Sequence, residues 1–144
     1  METKTSHIIL KAEQLSIGYK TKKAETVIAS NINFQLQKGQ LIGLVGANGI
    51  GKSTLLRTLI KVQPELSGSI RLNNKDLKTT TTLELAKQLS IVLTEPLSSK
   101  NLSVFELVAL GRHPYTNWIG NLTENDTTII KKALTLVNIL ELKD

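Results

Sequence analysis

Apolar and polar residues alternate in the early part of the chain. The stretch from Leu10 to Ile17 predicts one or two extended segments, and the stretch from Ile32 to Leu36 predicts another, because a period of two is typical of half-buried β-strands. Lys38-Gly39 supplies a turn after them. The chain is therefore expected to open with an antiparallel β region.

A different apolar pattern follows. Leu41–Val45 is a run without alternation, as expected of a strand buried on both faces, and Ile91–Leu93 is expected to be a second such strand. After the first run comes a glycine-rich loop, and leucines at helical spacing then predict a helix over Ser53–Ile60. The order here is strand, loop, helix.

The sequence patterns in the later part of the chain mainly predict helices. Ser103-x-x-Glu106 and Thr123-x-x-Asp126 resemble capping boxes, each opening a helix. The order of elements predicts a mixed α/β architecture. Shorter elements are expected at Ser69–Leu72 (strand), Asn73-Asn74 (turn), Leu83–Leu89 (helix) and Val104–Leu110 (helix), and the last helix should bear one apolar face of Ile129, Ile130, Ala133, Val137 and Leu140.

Composition narrows the function. The 144 residues contain no cysteine, which excludes disulfides, zinc–thiolate sites and thiol catalysis. No apolar run approaches the roughly 20 residues that span a bilayer, so we expect a cytoplasmic protein. The formal net charge is +6, but the lysines are scattered and aromatic residues make up only 3%, so nucleic acid is not the expected partner.

The strongest motif is the segment Gly46–Ser53, which fits the pattern G-x-x-x-x-G-K-[ST] at every fixed position. Glycines let the loop turn its N–H groups inward, and the N-terminus of the following helix favours an anion. Lys52 can reach β- and γ-phosphates, and the Ser53 hydroxyl can ligate magnesium. The motif predicts that the chain binds ATP with Mg²⁺.

These residues resemble the ATP-binding subunits of ABC transporters. The likeness lies in the loop with its flanks, LIGLVGANGIGKSTLLR, and in the later stretch PELSGSIRL. It implies a P-loop ATPase fold of the ABC type, in which an antiparallel β region is followed by an incomplete core and the start of the helical subdomain. Residues 1–144 would then be the N-terminal part of one nucleotide-binding domain, truncated before the signature and the second acidic motif.

The resemblance also implies roles for individual residues. Asn48 to Thr54 would form the backbone cradle, with Thr54 near the α-phosphate, and Lys52 would be the catalytic residue that stabilises the transferred phosphoryl group. Tyr19 would stack on adenine, although a half-buried strand tyrosine is the alternative. The expected nucleotide-binding residues are Tyr19, Gly46, Asn48, Gly49, Ile50, Gly51, Lys52, Ser53 and Thr54.

The expected metal ligand is Ser53, with one position left open. Where the family usually carries a glutamine that contacts magnesium, this chain has Thr94, followed by Glu95. Either side chain could offer an oxygen to the metal, and an ordinary loop without a metal role is the equal alternative.

The segment LVALGRHPY resembles importers for iron–siderophore, haem or cobalamin, and Arg112, His113 and Tyr115 offer contacts to a partner surface. The implied function is the energy-coupling subunit of an ABC importer for such metal chelates. Its implied partners are a second copy of the subunit and transmembrane permease subunits, and its implied place is the inner face of the cell membrane.

The family's second acidic strand, Ser-Gly-Gly-Gln signature and histidine switch have no counterpart in these residues. The 144 residues alone are therefore expected to lack hydrolysis. One alternative is a nucleotide-binding module without turnover. Another is a soluble ABC ATPase that acts on nucleic acid or ribosomes, which the charge of +6 weakly favours.

Overall fold

A computed structural model of the chain describes residues 7–92, 102–117 and 119–142. The chain forms two compact units, Met1–Leu89 and Ser90–Asp144. The first unit contains β1 (Ile8–Lys20), β2 (Glu25–Gln37), α1 (Lys52–Leu59), β3 (Ser67–Leu72), β4 (Lys75–Asp76), a 3-10 turn (Leu77–Thr79) and α2 (Thr82–Ala86). The second contains α3 (Val104–Ala109), a 3-10 segment (Leu110–Tyr115), α4 (Glu124–Leu136) and a 3-10 turn (Leu140–Leu142).

The sheet of the first unit confirms the predicted antiparallel β region. Its four strands run in the order β2-β1-β3-β4, and each neighbouring pair is antiparallel. The predicted strand at Ser69–Leu72 is β3, and the predicted turn at Asn73-Asn74 joins it to β4. Both asparagines adopt positive φ, as a tight turn requires.

A β-bulge in β1 follows from the spacing of its apolar residues. Ala12 and Leu15 are both buried, 1% and 0% exposed, although an odd spacing places residues on opposite faces of a regular strand. The register of β1 against β2 shifts between these two residues, and Gln14 adopts a φ of 47° there. The extra residue returns Leu15 to the core side of the sheet.

The core of the first unit lies where α1, α2 and the 3-10 turn cover the sheet. Burying one leucine or isoleucine side chain contributes about 1.5–3 kcal/mol, so this cluster dominates the stability of the unit. Leu59 fixes α1 in place, and with it the loop that precedes the helix. The buried members are Leu10, Ala12, Leu15, Ile17, Leu59, Ile70, Leu72, Leu77 and Leu85.

The two predicted buried strands are wrong for this structure. Positions 41–45 form no strand, and Leu41 and Val45 are 101% and 90% exposed. Ile91 and Val92 form no strand either, Val92 is 96% exposed, and Leu93 lies outside the described residues. A strand buried on both faces needs neighbours on its edges and cover on its faces. The described residues provide neither beside Leu41–Val45.

The second unit is helical, and both capping boxes are confirmed. The side chains of Ser103 and Thr123 accept from the amides of Glu106 and Asp126, whose carboxylates accept in return. The predicted apolar face of α4 is partly wrong. Ile130 and Leu134 are buried, whereas Ile129 and Val137 are exposed, because α4 presents the row Asp126, Ile130 and Leu134 to its neighbours.

The longest helix in the described ranges, α4, has 13 residues. None of the helices in those ranges combines the length and the apolar character needed to cross a bilayer.

Candidate nucleotide-binding site

The glycine-rich loop leads directly into the N-terminus of α1, as predicted. The helix begins at Lys52, one residue before the predicted start, and the backbone of Gly51 forms its N-cap without a side-chain cap bond. The first N–H groups of a helix have no partner within the helix, and the first turn of α1 carries no acidic side chain. This end of the helix is therefore available to an anion.

Two glycines of the loop occupy backbone conformations that other residues avoid. Gly49 has a φ of 82° and Gly51 has a φ of 105°. A Cβ added to Gly51 would also lie 2.5 Å from Cγ2 of Ile28 on β2. The fixed glycine of the motif is thus required at position 51 by backbone conformation and by space.

Lys52 folds back over the loop that precedes it. Its Nζ donates to the carbonyl oxygens of Gly46 (2.7 Å) and Ala47 (2.8 Å). These bonds hold the positive charge at the mouth of the loop and tie the loop to the start of α1. An ammonium group carries three donors, so capacity remains for a phosphate oxygen.

The predicted residues converge on one cleft of about 320 Å³ in the first unit. Gly46 joins it through its bond to Lys52. Ile50, also predicted, is 60% exposed and is not part of the lining. The lining consists of Tyr19, Ile28, Asn48, Gly49, Gly51, Lys52, Ser53 and Thr54.

Tyr19 lies at the open side of this cleft and is 48% exposed. Its hydroxyl is 3.3 Å from Oγ1 of Thr54, which is 7% exposed in the first turn of α1. The ring of the predicted base-stacking residue is therefore tied to the helix that carries the predicted phosphate cradle.

Ile28 lines the cleft although no sequence motif marks it. It stands on β2, close to the hairpin that pairs Tyr19 with Thr26. The signal was present in the hairpin itself, since a short turn after Tyr19 brings the start of β2 back beside the end of β1. Ile28 gives the cleft an apolar wall next to the tyrosine ring.

The chemistry of the lining fits a magnesium–nucleotide complex, because it combines an ammonium group, a hydroxyl and the N-terminus of a helix. Ser53 is exposed beside Lys52, with its hydroxyl in the first turn of α1. The described ranges hold no cluster of three or more His, Cys, Asp or Glu side chains that could bind a metal ion. The other predicted ligands, Thr94 and Glu95, lie outside the described residues.

Two of the residues predicted to contact a partner, Arg112 and Tyr115, belong to a polar cluster in the second unit. Nε of Arg112 donates to Oδ1 of Asp126 at 2.7 Å, and the guanidinium lies 4.1 Å from the centre of the Tyr115 ring. The hydroxyl and amide of Thr123, together with this guanidinium, lower the pKa of Asp126 to about 2. Arg112 thus stabilises its own unit. His113 is exposed and lines a groove of about 210 Å³.

Comparison with known proteins identifies the family. The sequence profile described as ABC transporter matches residues 29–144. An uncharacterized ABC transporter ATP-binding protein of Methanocaldococcus jannaschii is 39% identical over 130 residues, which cover 90% of this chain and 43% of the relative. The iron(3+)-hydroxamate import ATP-binding protein of Bacillus subtilis is 38% identical over 125 residues, which cover 87% of this chain and 45% of the relative. The chain spans less than half the length of these relatives.

A solved structure supports the same assignment. The cbiO1 protein of Clostridium perfringens, part of the ABC transporter complex cbiONQ, matches with a TM-score of 0.72 and 28% identity, over 96% of this chain and 53% of that chain. The predicted fold class, a P-loop ATPase of the ABC type, is confirmed. Since the family profile covers most of its length, the chain belongs to the ABC transporter family.

Proposed function

We propose that the intact protein is the ATP-binding, energy-coupling subunit of an ABC importer for a metal chelate. The supporting observation is the single cleft that brings Tyr19 together with Lys52 and the phosphate-type loop. The aromatic ring suits a base, and the row of amides with the ammonium group suits a polyphosphate, so one cleft has the chemistry for both parts of a nucleotide.

Each residue has a chemical task in this proposal. The Lys52 ammonium and the loop amides bind the phosphate oxygens and stabilise the charge that develops on the transferred phosphoryl group. Ser53 holds the magnesium ion, which neutralises part of the phosphate charge when bound. Tyr19 stacks on adenine, with Ile28 as an apolar wall beside it.

The cargo class comes from the relatives and from one segment of the sequence. The Bacillus subtilis relative is named for iron(3+)-hydroxamate import. The run Gly111-Arg112-His113-Pro114-Tyr115 resembles the segment at this place in importers of iron–siderophore, haem and cobalamin. An iron–siderophore chelate is the cargo that these two observations favour, with haem and cobalamin as the alternatives.

The proposed partners are those of an importer. Two copies of the intact subunit would close on two ATP molecules, and permease subunits would receive the motion at the inner face of the membrane. His113, exposed on the second unit, is the residue we assign to contact with the permease.

Calorimetry with magnesium–ATP tests the nucleotide site. Replacing Lys52 with alanine should weaken binding by about ten- to a hundredfold, since a hydrogen bond to a charged group contributes about 1.5–3 kcal/mol. Lys38→Ala, which removes an exposed lysine from the turn after β2, is the matched control and should leave affinity unchanged. Equal affinities in the two variants would refute the assignment.

The 144 residues alone are proposed to bind nucleotide without turnover, because the family's second acidic strand and signature have no counterpart in them. Phosphate release separates this chain from the intact protein. The chain should take up magnesium–ATP and release no phosphate above the level of its Lys52→Ala variant, whereas the intact protein should turn over. Sustained release by the chain alone would contradict this proposal.

A further inference from the structure

The hydroxyl of Thr54 contacts the hydroxyl of Tyr19, the residue proposed to bind the base. The two residues come from different elements, the end of β1 and the first turn of α1, and their side-chain oxygens lie 3.3 Å apart. Thr54 is 7% exposed and Tyr19 is 48% exposed. One partner is therefore fixed by its surroundings, while the other stands at the surface.

The helix holds Thr54 firmly. The hydroxyl of Thr58 donates to the carbonyl oxygen of Thr54 at 2.8 Å, and Thr58 itself is 1% exposed. Leu59 anchors the end of the helix in the core. The Thr54 hydroxyl is thus a buried point on a packed helix to which the half-exposed tyrosine can bond.

The tyrosine ring needs such a point. An exposed ring turns about two side-chain torsions, and ordering it when a ligand binds costs conformational entropy. The phenolic hydroxyl of Tyr19 can donate or accept a hydrogen bond. A hydrogen bond from this hydroxyl to Thr54 orients the ring beside the cleft before a base binds.

We propose that Thr54 is a positioning residue for base recognition, acting through the hydroxyl of Tyr19. The inference rests on the proposed nucleotide site and extends it. The resemblance to ABC transporters implies that Thr54 lies near the α-phosphate; in the structure its backbone N–H is at the helix N-terminus, whereas its hydroxyl serves the ring. The two ends of the nucleotide are in this way linked through a single residue.

The test compares a ligand that has a base with one that lacks it. Magnesium–ATP and magnesium–tripolyphosphate are titrated calorimetrically into the wild-type chain and into Tyr19→Phe, which keeps the ring and removes only the hydroxyl. We expect ATP affinity to fall about three- to tenfold, the range of one ordinary hydrogen bond, while tripolyphosphate affinity stays the same. Tyr115→Phe alters the chain's other tyrosine, in the second unit, and is the matched control.

A double-mutant cycle connects the effect to Thr54. Thr54→Val should weaken ATP binding by the same factor as Tyr19→Phe, and the double variant should be no weaker than either single variant. Thr54→Ser keeps the hydroxyl and should restore ATP affinity. Because Tyr19 is about half exposed and the substitution keeps its ring, Tyr19→Phe tests the inference even if a substitution at buried Thr54 unfolds the chain.

The outcomes separate this inference from the function on which it rests. If Tyr19→Phe weakened ATP and tripolyphosphate equally, or neither of them, the positioning role would be refuted and the nucleotide site would stand. Additive losses in the double variant would also overturn it. If the wild-type chain bound neither ligand, the proposed function and this inference would fall together.

Discussion

Two consecutive segments of the chain differ in whether they adopt the structure that their sequence predicts. The glycine-rich loop and the helix after it form as the sequence predicts, with Gly49 and Gly51 at positive φ, although α1 (Lys52–Leu59) begins one residue before the predicted start. The apolar run Leu41–Val45 directly before them was expected to be a buried strand, and it is exposed without strand structure. Both segments carried clear sequence signals.

The difference lies in where the stabilising partners are. The loop is closed by bonds within itself, from Nζ of Lys52 to Gly46 and Ala47, and α1 forms its own backbone hydrogen bonds. A buried parallel strand depends on other strands beside it and on helices over both faces. Elements with local partners follow from local sequence, whereas elements with distant partners depend on what the rest of the fold supplies.

The largest expected effect contrasts a core leucine with one in the exposed run. Leu15→Ala should lower the free energy of unfolding by about 2–5 kcal/mol, because Leu15 is 0% exposed. Leu41→Ala should change it by less than about 0.5 kcal/mol, because Leu41 is 101% exposed. Urea unfolding followed by circular dichroism measures both. A large decrease in the free energy of unfolding for Leu41→Ala would mean that this run is covered in solution. It would contradict the claim that Leu41–Val45 lacks stabilising partners.

The next effect contrasts two glycines from the same two segments. Gly51→Ala forces an L side chain to a φ of 105° and places its Cβ against Ile28, so it should cost about 1–3 kcal/mol in local strain. The altered loop should also bind magnesium–ATP more weakly. Gly43→Ala, with open space around its Cβ position, should affect neither property. Thermal melts measure the stability of both variants, and calorimetry measures their affinity for magnesium–ATP. Equal effects of the two substitutions would contradict the claim that the conformation of Gly51 is essential to the loop.

A smaller effect tests a helix start that local sequence predicted. Thr123→Ala removes the hydroxyl that accepts from the amide of Asp126, and it should cost about 1 kcal/mol of stability. Thr128→Ala is the control on the exposed side of α4, where the hydroxyl donates to the backbone carbonyl oxygen of Glu124 in the same helix. Denaturant midpoints compare the two. If the two losses matched, the cap would not be what stabilises α4.

The last prediction concerns the pH dependence of stability. The pKa of Asp126 lies at about 2 instead of 3.8, because Thr123 and Arg112 bond to the charged form. The folded state therefore prefers the carboxylate, and this contribution to stability is complete above the unfolded pKa and is lost as pH falls through about 2. Melting temperatures of Asp126→Asn should depend less on pH between about 4 and 2 than those of the wild type. Parallel curves for the two proteins would count against this assignment.

Much of the candidate site could be predicted because its signals are short in sequence. Gly46 to Ser53 is a contiguous motif, and the backbone conformations of Gly49 and Gly51 follow from it. The antiparallel strands and both capping boxes were predicted for the same reason, since a period of two or a spacing of three residues is visible along the chain.

What could not be predicted joins residues that are far apart in sequence. The bond from Tyr19 to Thr54 spans 35 positions, and the pair Arg112–Asp126 spans 14. No pattern of spacing marks such pairs, because they arise when separate elements pack. Ile28 was missed for a related reason: its place in the cleft depends on the register of the β1–β2 hairpin.

The exposed run also governs how the chain behaves at high concentration. Leu41, Ile42, Leu44 and Val45 expose apolar side chains next to one another, and such a stretch favours association between molecules. Preparations of these 144 residues should accordingly become turbid as they are concentrated or warmed. Purification in dilute solution, with a solubilising additive, is the practical consequence.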